Sequence, residues 1–310
     1  MRIGYWIWVL AGICFAQEPI RVQVNLVNIG FSVRDAGGKL VSELTQDDFE
    51  VFEDGAPQKI AFFARSADVP LTLGLIVDFS GSQASFIKAH HRDLENFLKD
   101  VLRPQDRAFL LCFGNRLRLA GDYSPSPKGL DEALRNFEKG KIEFPSIGPP
   151  ERRILGTAFY DAIYYSITEK LADVPRGRRA LVIFSDGEDN SSAHHMMDAV
   201  EAAQVNDVRL FTVRYTDVHN GVWNARNKYG MRVMERIARE TGGADFDARE
   251  RGLDQNFKEI GQQLHFSYEL AYHTTNPVSD GTFRKIVIRA RQPRLAVQAK
   301  TGYYARAANP

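Results

Sequence analysis

Apolar and polar side chains alternate with period two over residues 20–67, the spacing of half-buried β-strands. Val22, Val24 and Leu26 share one parity, whereas Val27, Ile29, Phe31 and Val33 share the other. This phase slip predicts a bulge near Leu26-Val27. Asp35-Ala36-Gly37-Gly38 reads as a turn, and Asp54-Gly55 as a hairpin turn joining 49–53 to 60–64. From residue 71 the pattern changes. Apolar strand-length runs at 71–77, 108–113, 117–120, 181–184, 208–213 and 244–246, several of them without alternation, now alternate with segments of helical spacing. Runs without alternation predict strands covered on both faces. One helical stripe is Ile87, Leu94, Phe97, Leu98 and Val101; a second is Leu130, Leu134 and Phe137; a third is Phe159, Ile163, Ile167 and Leu171. Further helices are expected over 231–241 and 253–264. Near Phe266 the period returns to two: Tyr268, Leu270 and Tyr272, then a turn at Ser279-Asp280-Gly281, then Phe283, Ile286 and Ile288, with 295–300 and Tyr303-Tyr304 closing the chain.

These patterns predict an α/β fold, with a doubly wound, mostly parallel sheet over residues 69–265 carrying helices on both faces. The β segments 17–68 and 266–310 are each too short to bury a good core. Pairing them into one small β-sandwich, with the α/β unit inserted between, meets that need. Residues 140–156, with Pro145, Pro149 and Pro150, read as a long loop.

The amino end has the pattern of a targeting segment. Arg2 supplies positive charge, residues 5–15 are apolar, and Ala16 offers a small cleavage residue. Residues 1–16 are therefore expected to be a signal peptide and the protein to be exported, to periplasm or medium. Cys14 raises the question of a lipid anchor, but Ile13 stands where a lipobox wants a small residue. The other cysteine, Cys112, lies in an apolar run and is expected to be a buried strand residue. The net charge of +1 offers no basic surface for nucleic acid or an anionic membrane.

The chemistry is concentrated where the first apolar run of the α/β unit ends. Asp78-Phe79-Ser80-Gly81-Ser82 sets a carboxylate and two hydroxyls at alternate positions on the loop leaving a strand. Oxygen-only donors suit a hard divalent cation. Thr157 lies in a later loop before a helix, and Asp186 ends another strand-like run. Each has an ordinary alternative. Ser80 and Ser82 could turn into the next helix, Thr157 could be an N-cap, and Asp186-Gly187 could be a plain turn.

Together, Asp78, Ser80, Ser82, Thr157 and Asp186 resemble the metal-ion-dependent adhesion site (MIDAS) of von Willebrand factor A (VWA) domains. Phe49-Glu50-Val51-Phe52-Glu53-Asp54-Gly55 and Thr301-Gly302-Tyr303-Tyr304 are similar to flanking motifs of a bacterial, acidobacterial-type VWFA-related family. The resemblance implies a Rossmann-like VWA sheet, with insertion into a sandwich as in integrins. It implies that Asp78 and Asp186 leave the first and fourth strands at the reversal of strand order. It also implies Mg²⁺ as the bound ion, with Mn²⁺ or Ca²⁺ as substitutes. Hydroxyls would contact the ion directly and the aspartates would act largely through water or hydrogen bonds. An ion held in this way keeps much of its charge and can take a Glu or Asp carboxylate of a partner protein. Gln83 stands where many relatives have Met.

Glu188 and Asp189 are expected as a rim tuning access. Asp161 is expected either near Thr157 or as a first-turn helix acid, and the loop 218–224 as exposing or tucking Trp223. The adjacent pairs His90-His91 and His194-His195 lack zinc spacing. There is no G-x-S-x-G elbow, no P-loop and no D-x-D after the first strand. The expected function is thus non-enzymatic, adhesion-type binding of a protein. A hydrolase using the same cation and a structural domain with a vestigial site are the other readings.

Overall fold

A computed structural model describes residues 26–66, 69–140, 143–149, 156–174, 177–217, 222–249 and 253–305. The expected signal peptide, Cys14, Val22 and Val24 lie outside the described residues.

The centre is a six-stranded sheet built from β5 (Leu71–Asp78), β6 (Arg107–Phe113), β7 (Leu117–Ser124), β8 (Arg178–Ser185), β9 (Val208–Arg214) and β10 (Asp245–Asp247). Its order is β10-β9-β8-β5-β6-β7. All pairs are parallel except β6–β7. Only residues 114–116 separate those two strands, too few for the crossover a parallel pair requires. Every residue of β5 is buried, as its continuous apolar run predicts. Leu71, Leu73, Leu75 and Val77 face a core shared with α1 (Ile87–Val101), α2 (Pro127–Glu138) and α6 (Leu253–His265). Ile76 and the alternate residues of neighbouring strands face α3 (Phe159–Tyr165), α4 (Met196–Val205) and α5 (Ala225–Glu240). The sheet is therefore doubly wound, and strand order reverses between β5 and β8.

The flanking segments fold together. β1 (Leu26–Arg34), β4 (Ile60–Ser66), β11 (Ser267–His273) and β13 (Ala296–Ala299) form one antiparallel sheet of order β13-β1-β11-β4. β2 (Phe49–Glu53), β3 (Ala56–Gln58), β12 (Phe283–Ala290) and β14 (Gly302–Tyr304) form the second, of order β14-β12-β2-β3. Val27, Ile29, Phe31, Tyr268 and Leu270 of the first pack on Phe49, Val51, Ile286 and Ile288 of the second. The rings of Phe31 and Phe49 meet edge to face at 5.0 Å between centroids.

Three local expectations need correction. Asp54 (φ 48°) and Gly55 (φ 84°) do make a tight hairpin turn, but the returning strand is the short β3 and not 60–64. The chain changes sheet at Lys59, and β4 pairs with β11 instead. Phe283 is exposed and rests edge-on against Tyr304, while Arg284 takes the buried position beside it. Helix α5 begins at Ala225 and not at residue 231, because the Asn224 carboxamide caps it, accepting from the Asn227 amide at 2.7 Å. Apolar spacing cannot reveal a first turn whose residues, Ala225 to Lys228, bury no apolar side chain.

The two flanking sequence motifs meet inside the sandwich. Glu53 is buried, and its carboxylate accepts from Tyr272 Oη (2.7 Å), Tyr303 Oη (3.0 Å) and the Thr274 hydroxyl. Three donors on one carboxylate tie β2, β11 and β14 together. Both tyrosine hydroxyls are pushed up in pKa, first by burial and then by Glu53. Glu53→Gln should lower stability in urea denaturation by about 1–3 kcal/mol, since one amide hydrogen must then face a buried donor. Tyr303→Phe should lower it by about 1 kcal/mol, because Tyr272 and Thr274 still hold the carboxylate. An unchanged midpoint in Glu53→Gln would contradict this role.

Candidate metal centre

Asp78 and Ser185 end neighbouring parallel strands, so Asp78 and Asp186 leave the sheet side by side at the reversal of strand order, where open α/β sheets bind ligands. Asp78 is completely buried. Its Oδ1 accepts from the Ser80 amide at 2.8 Å and its Oδ2 from Ser185 Oγ at 2.6 Å. Asp186 Oδ1 accepts from the Glu188 amide at 3.1 Å and Oδ2 from Gln83 Nε2 at 2.8 Å. The hydroxyls of Ser80 and Ser82 lie 3.1 Å apart. Ser80 is buried and Ser82 is exposed.

Thr157 is brought in by its backbone. The amide of Ala158 donates to Gly114 O at 2.9 Å, and Gly114 packs against the backbone of Phe79 and Ser80. On the other side, the amides of Asn190 and Ser191 donate to Thr157 O, and the Thr157 amide donates to Asn190 Oδ1 at 2.7 Å. Thr157 is thus clamped between the loop after β5 and the loop after β8. It is not the N-cap of α3; Ala158 holds that position without a side-chain cap. The Thr157 hydroxyl has no hydrogen-bond partner among the described residues.

Asp189, expected on the rim, has a different task. Its Oδ1 accepts from the Phe159 amide (2.8 Å) and the Tyr160 amide (3.4 Å), so it caps α3 from outside the helix and favours the helix dipole. Asp161 is fully buried and accepts from the amides of Ala193 and His194 and from His194 Nδ1. Asp189, Asn190 and Asp161 therefore hold the loop after β8 onto the start of α3. Glu188 does sit beside the site, half-buried, paired with Arg226 at 3.4 Å. Its pKa is raised by burial and by the Asp186 charge, and lowered by Arg226.

Gln83, at the position where many relatives have Met, is fully buried and bridges Asp186 Oδ2 to Tyr215 O (3.1 Å). Tyr215 Oη in turn donates to Asp93 of α1 at 2.7 Å. A polar residue where an apolar one was expected was the available signal. Helix α5 leans on the same turn. Gly187 has φ 77°, and a Cβ on Gly230 would stand 2.1 Å from Asp186 O, so only glycine allows this approach. His90 is buried edge-on to the Tyr215 ring at 4.4 Å, with burial pushing its pKa down to about 3. His91 turns instead to Glu138 at 2.8 Å, so this histidine pair does not converge. Trp223 is half-buried beneath the Arg249 guanidinium at 4.6 Å. Cys112 is buried in β6.

The donor set fits a hard divalent cation. It contains oxygen only, and both aspartates are already oriented by protein donors. Among the described residues, no three His, Cys, Asp or Glu side chains converge as a metal-holding group. The charged part of this set is two carboxylates, and the remainder is hydroxyl.

No protein-family model and no curated protein matches the chain. Solved structures do match. An aerotolerance-related membrane protein from Bacteroides fragilis aligns with a TM-score of 0.47 at 15% identity, over 63% of this chain and 98% of that one. BatB from Bacteroides thetaiotaomicron aligns with a TM-score of 0.47 at 16% identity, over 62% and 96%. Proximal thread matrix protein 1 of the mussel byssus, with a zinc-occupied MIDAS motif, aligns with a TM-score of 0.46 at 13% identity, over 68% and 49%.

Burial, and then the neighbouring charge of Asp186, push the pKa of Asp78 up from 3.8 to about 7. The folded protein then holds this proton more tightly than the unfolded chain. The resulting stabilisation is complete below pH 3.8 and is lost as pH rises through about 7. In EDTA, stability should therefore fall across that window, and Asp78→Asn should flatten that part of the profile. Superimposable pH–stability curves for the two proteins would contradict the assignment.

Proposed function

We propose that the protein is an exported, non-enzymatic binding module in which a divalent cation, Mg²⁺ or a substitute such as Mn²⁺ or Ca²⁺, receives a Glu or Asp carboxylate of a partner protein. The observation that carries this reading is the Ser80–Ser82 hydroxyl pair beside two aspartates whose oxygens are already committed to Ser80, Ser185, Gln83 and Glu188. Ser80, Ser82 and Thr157 would contact the ion, while Asp78 and Asp186 would balance its charge from behind. Mg²⁺ prefers octahedral oxygen ligation and keeps waters. A site that supplies mostly neutral oxygens leaves positive charge for an incoming carboxylate. The chain's own part is to orient the donors and to hold Asp78 and Asp186 side by side at the strand exits.

Binding is favoured over hydrolysis by the wiring of the nearby acids. A general base must reach a metal-bound water. Asp189 is engaged by the α3 amides, Asp161 by the loop after β8, and Glu188 by Arg226. Export rests on the amino-terminal pattern alone. Among the described residues no helix is long and apolar enough to cross a membrane.

A cation bound only by the folded state raises stability by RT ln(1 + [L]/Kd), about 2.7 kcal/mol at a hundredfold excess over Kd. Millimolar Mg²⁺ or Mn²⁺ should raise Tm, and Asp78→Ala or Thr157→Ala should abolish the shift. An acidic partner captured from the native host should be released by EDTA. A Tm indifferent to both ions would overturn the reading. So would turnover of generic ester or phosphate substrates that depends on metal and on Asp78.

A further inference from the structure

At the opposite end of the central sheet lies a second feature, unrelated to the metal centre. A cleft of about 180 Å³ separates the amino ends of β8 and β9 from the outer face of the sheet β13-β1-β11-β4. Among the described residues its ionisable lining is Arg178, Arg179, Arg209 and Lys300 with Asp207 and Glu269. Lys300 pairs with Asp207 and also donates to Gln204 O at 3.0 Å.

Arg209 is the most constrained of these cations. It is buried, and its acceptors among the described residues are all neutral: Gly242 O, the backbone and side-chain oxygens of Gln263, and Ser32 Oγ. Burial first, and then the charges of Arg178 and Arg34, push its pKa down to about 10. A buried charge with only neutral acceptors is unfavourable until a counter-charge arrives. Arg179 is half-buried on the cleft wall, and its guanidinium makes no hydrogen bond or ion pair with any described residue. Across from it, Gly30 lines the cleft where a Cβ would meet nothing within 4 Å, so the strand leaves this space open.

We propose that this cleft binds a small phosphate-class oxyanion. Arg179 is the guanidinium available to grip it, since planar, forked donors match phosphate oxygens. Arg209 supplies fixed positive field from below. Glu269 opposes a bare anion, so it limits affinity and favours a ligand that presents its charge to the Arg179 side. A ligand here would touch both the inserted unit and the sandwich, and would stabilise their joint.

The test uses the full chain in EDTA, which silences the metal centre, and follows Tm and calorimetric binding. The probes are inorganic phosphate and pyrophosphate at constant ionic strength. A saturable rise in Tm is expected. Arg179→Ala should weaken binding by about tenfold or more, as loss of a charge-assisted contact implies. Gly30→Val should block it sterically while keeping every charge, and Glu269→Gln should strengthen it. Asp78→Ala should respond as the parent does, which separates this site from the metal centre. The proposal is overturned if sodium chloride at matched ionic strength reproduces the shift. It is also overturned if Arg179→Ala and Gly30→Val both respond like the parent, or if succinate binds and phosphate does not.

Discussion

Two carboxylates that would repel each other are held at the exits of adjacent parallel strands, and much of the architecture around them serves to keep them there. Asp78 and Asp186 can be neighbours only because β5 pairs with β8, although more than a hundred residues separate them in sequence. In this position burial and the Asp186 charge drive Asp78 towards its protonated form. Hydrogen bonds to Asp78 from Ser185 and Ser80 work in the opposite sense. A cation relieves the same repulsion. The tension between the two charges is thus set by the pairing of β5 with β8.

The loops that complete the site are rigid for reasons unconnected with metal. Asp189 satisfies the first amides of α3, and Asn190 brackets Thr157 on both its amide and carbonyl sides. Asp161 closes the far end of the same loop through His194. Helix α5 is pressed onto the Asp186-Gly187 turn at a position where any side chain on Gly230 would collide. Preorganisation of this kind lets hydroxyl donors compete with water, which neutral oxygens on loose loops do poorly.

The joint between the inserted unit and the sandwich has a different character. Apolar packing holds each part together, but their boundary is polar. Arg209 reaches Ser32, Lys300 reaches Asp207, Gln298 reaches the backbone of Gly243, and Thr301 reaches Glu240. Hydrogen bonds fix direction without demanding a large buried surface, so the boundary can enclose a charged cleft that an apolar interface would have filled.

The fold class was legible in the chain because period is a local property. The unbroken runs at 71–77 and 181–184 needed cover on two faces, and the alternation at Tyr268, Leu270 and Tyr272 needed it on one. Asp78, Ser80, Ser82 and Asp186 were legible as oxygen-bearing residues at strand exits, and Thr157 as one before a helix. What the chain could not disclose depends on pairing across long separations. The return of Asp54-Gly55 into β3 instead of β4 followed from a change of sheet that one intervening residue conceals. The capping by Asp189, the bridge from Gln83 to Tyr215 and the grouping of Arg178, Arg179 and Arg209 with Lys300 each join elements far apart in sequence. Local patterns determined which residues would be strands, helices and candidate ligands. Only tertiary packing decided which charges would be neighbours, because electrostatic and hydrogen-bond partners are set by distance in space and not by distance along the chain.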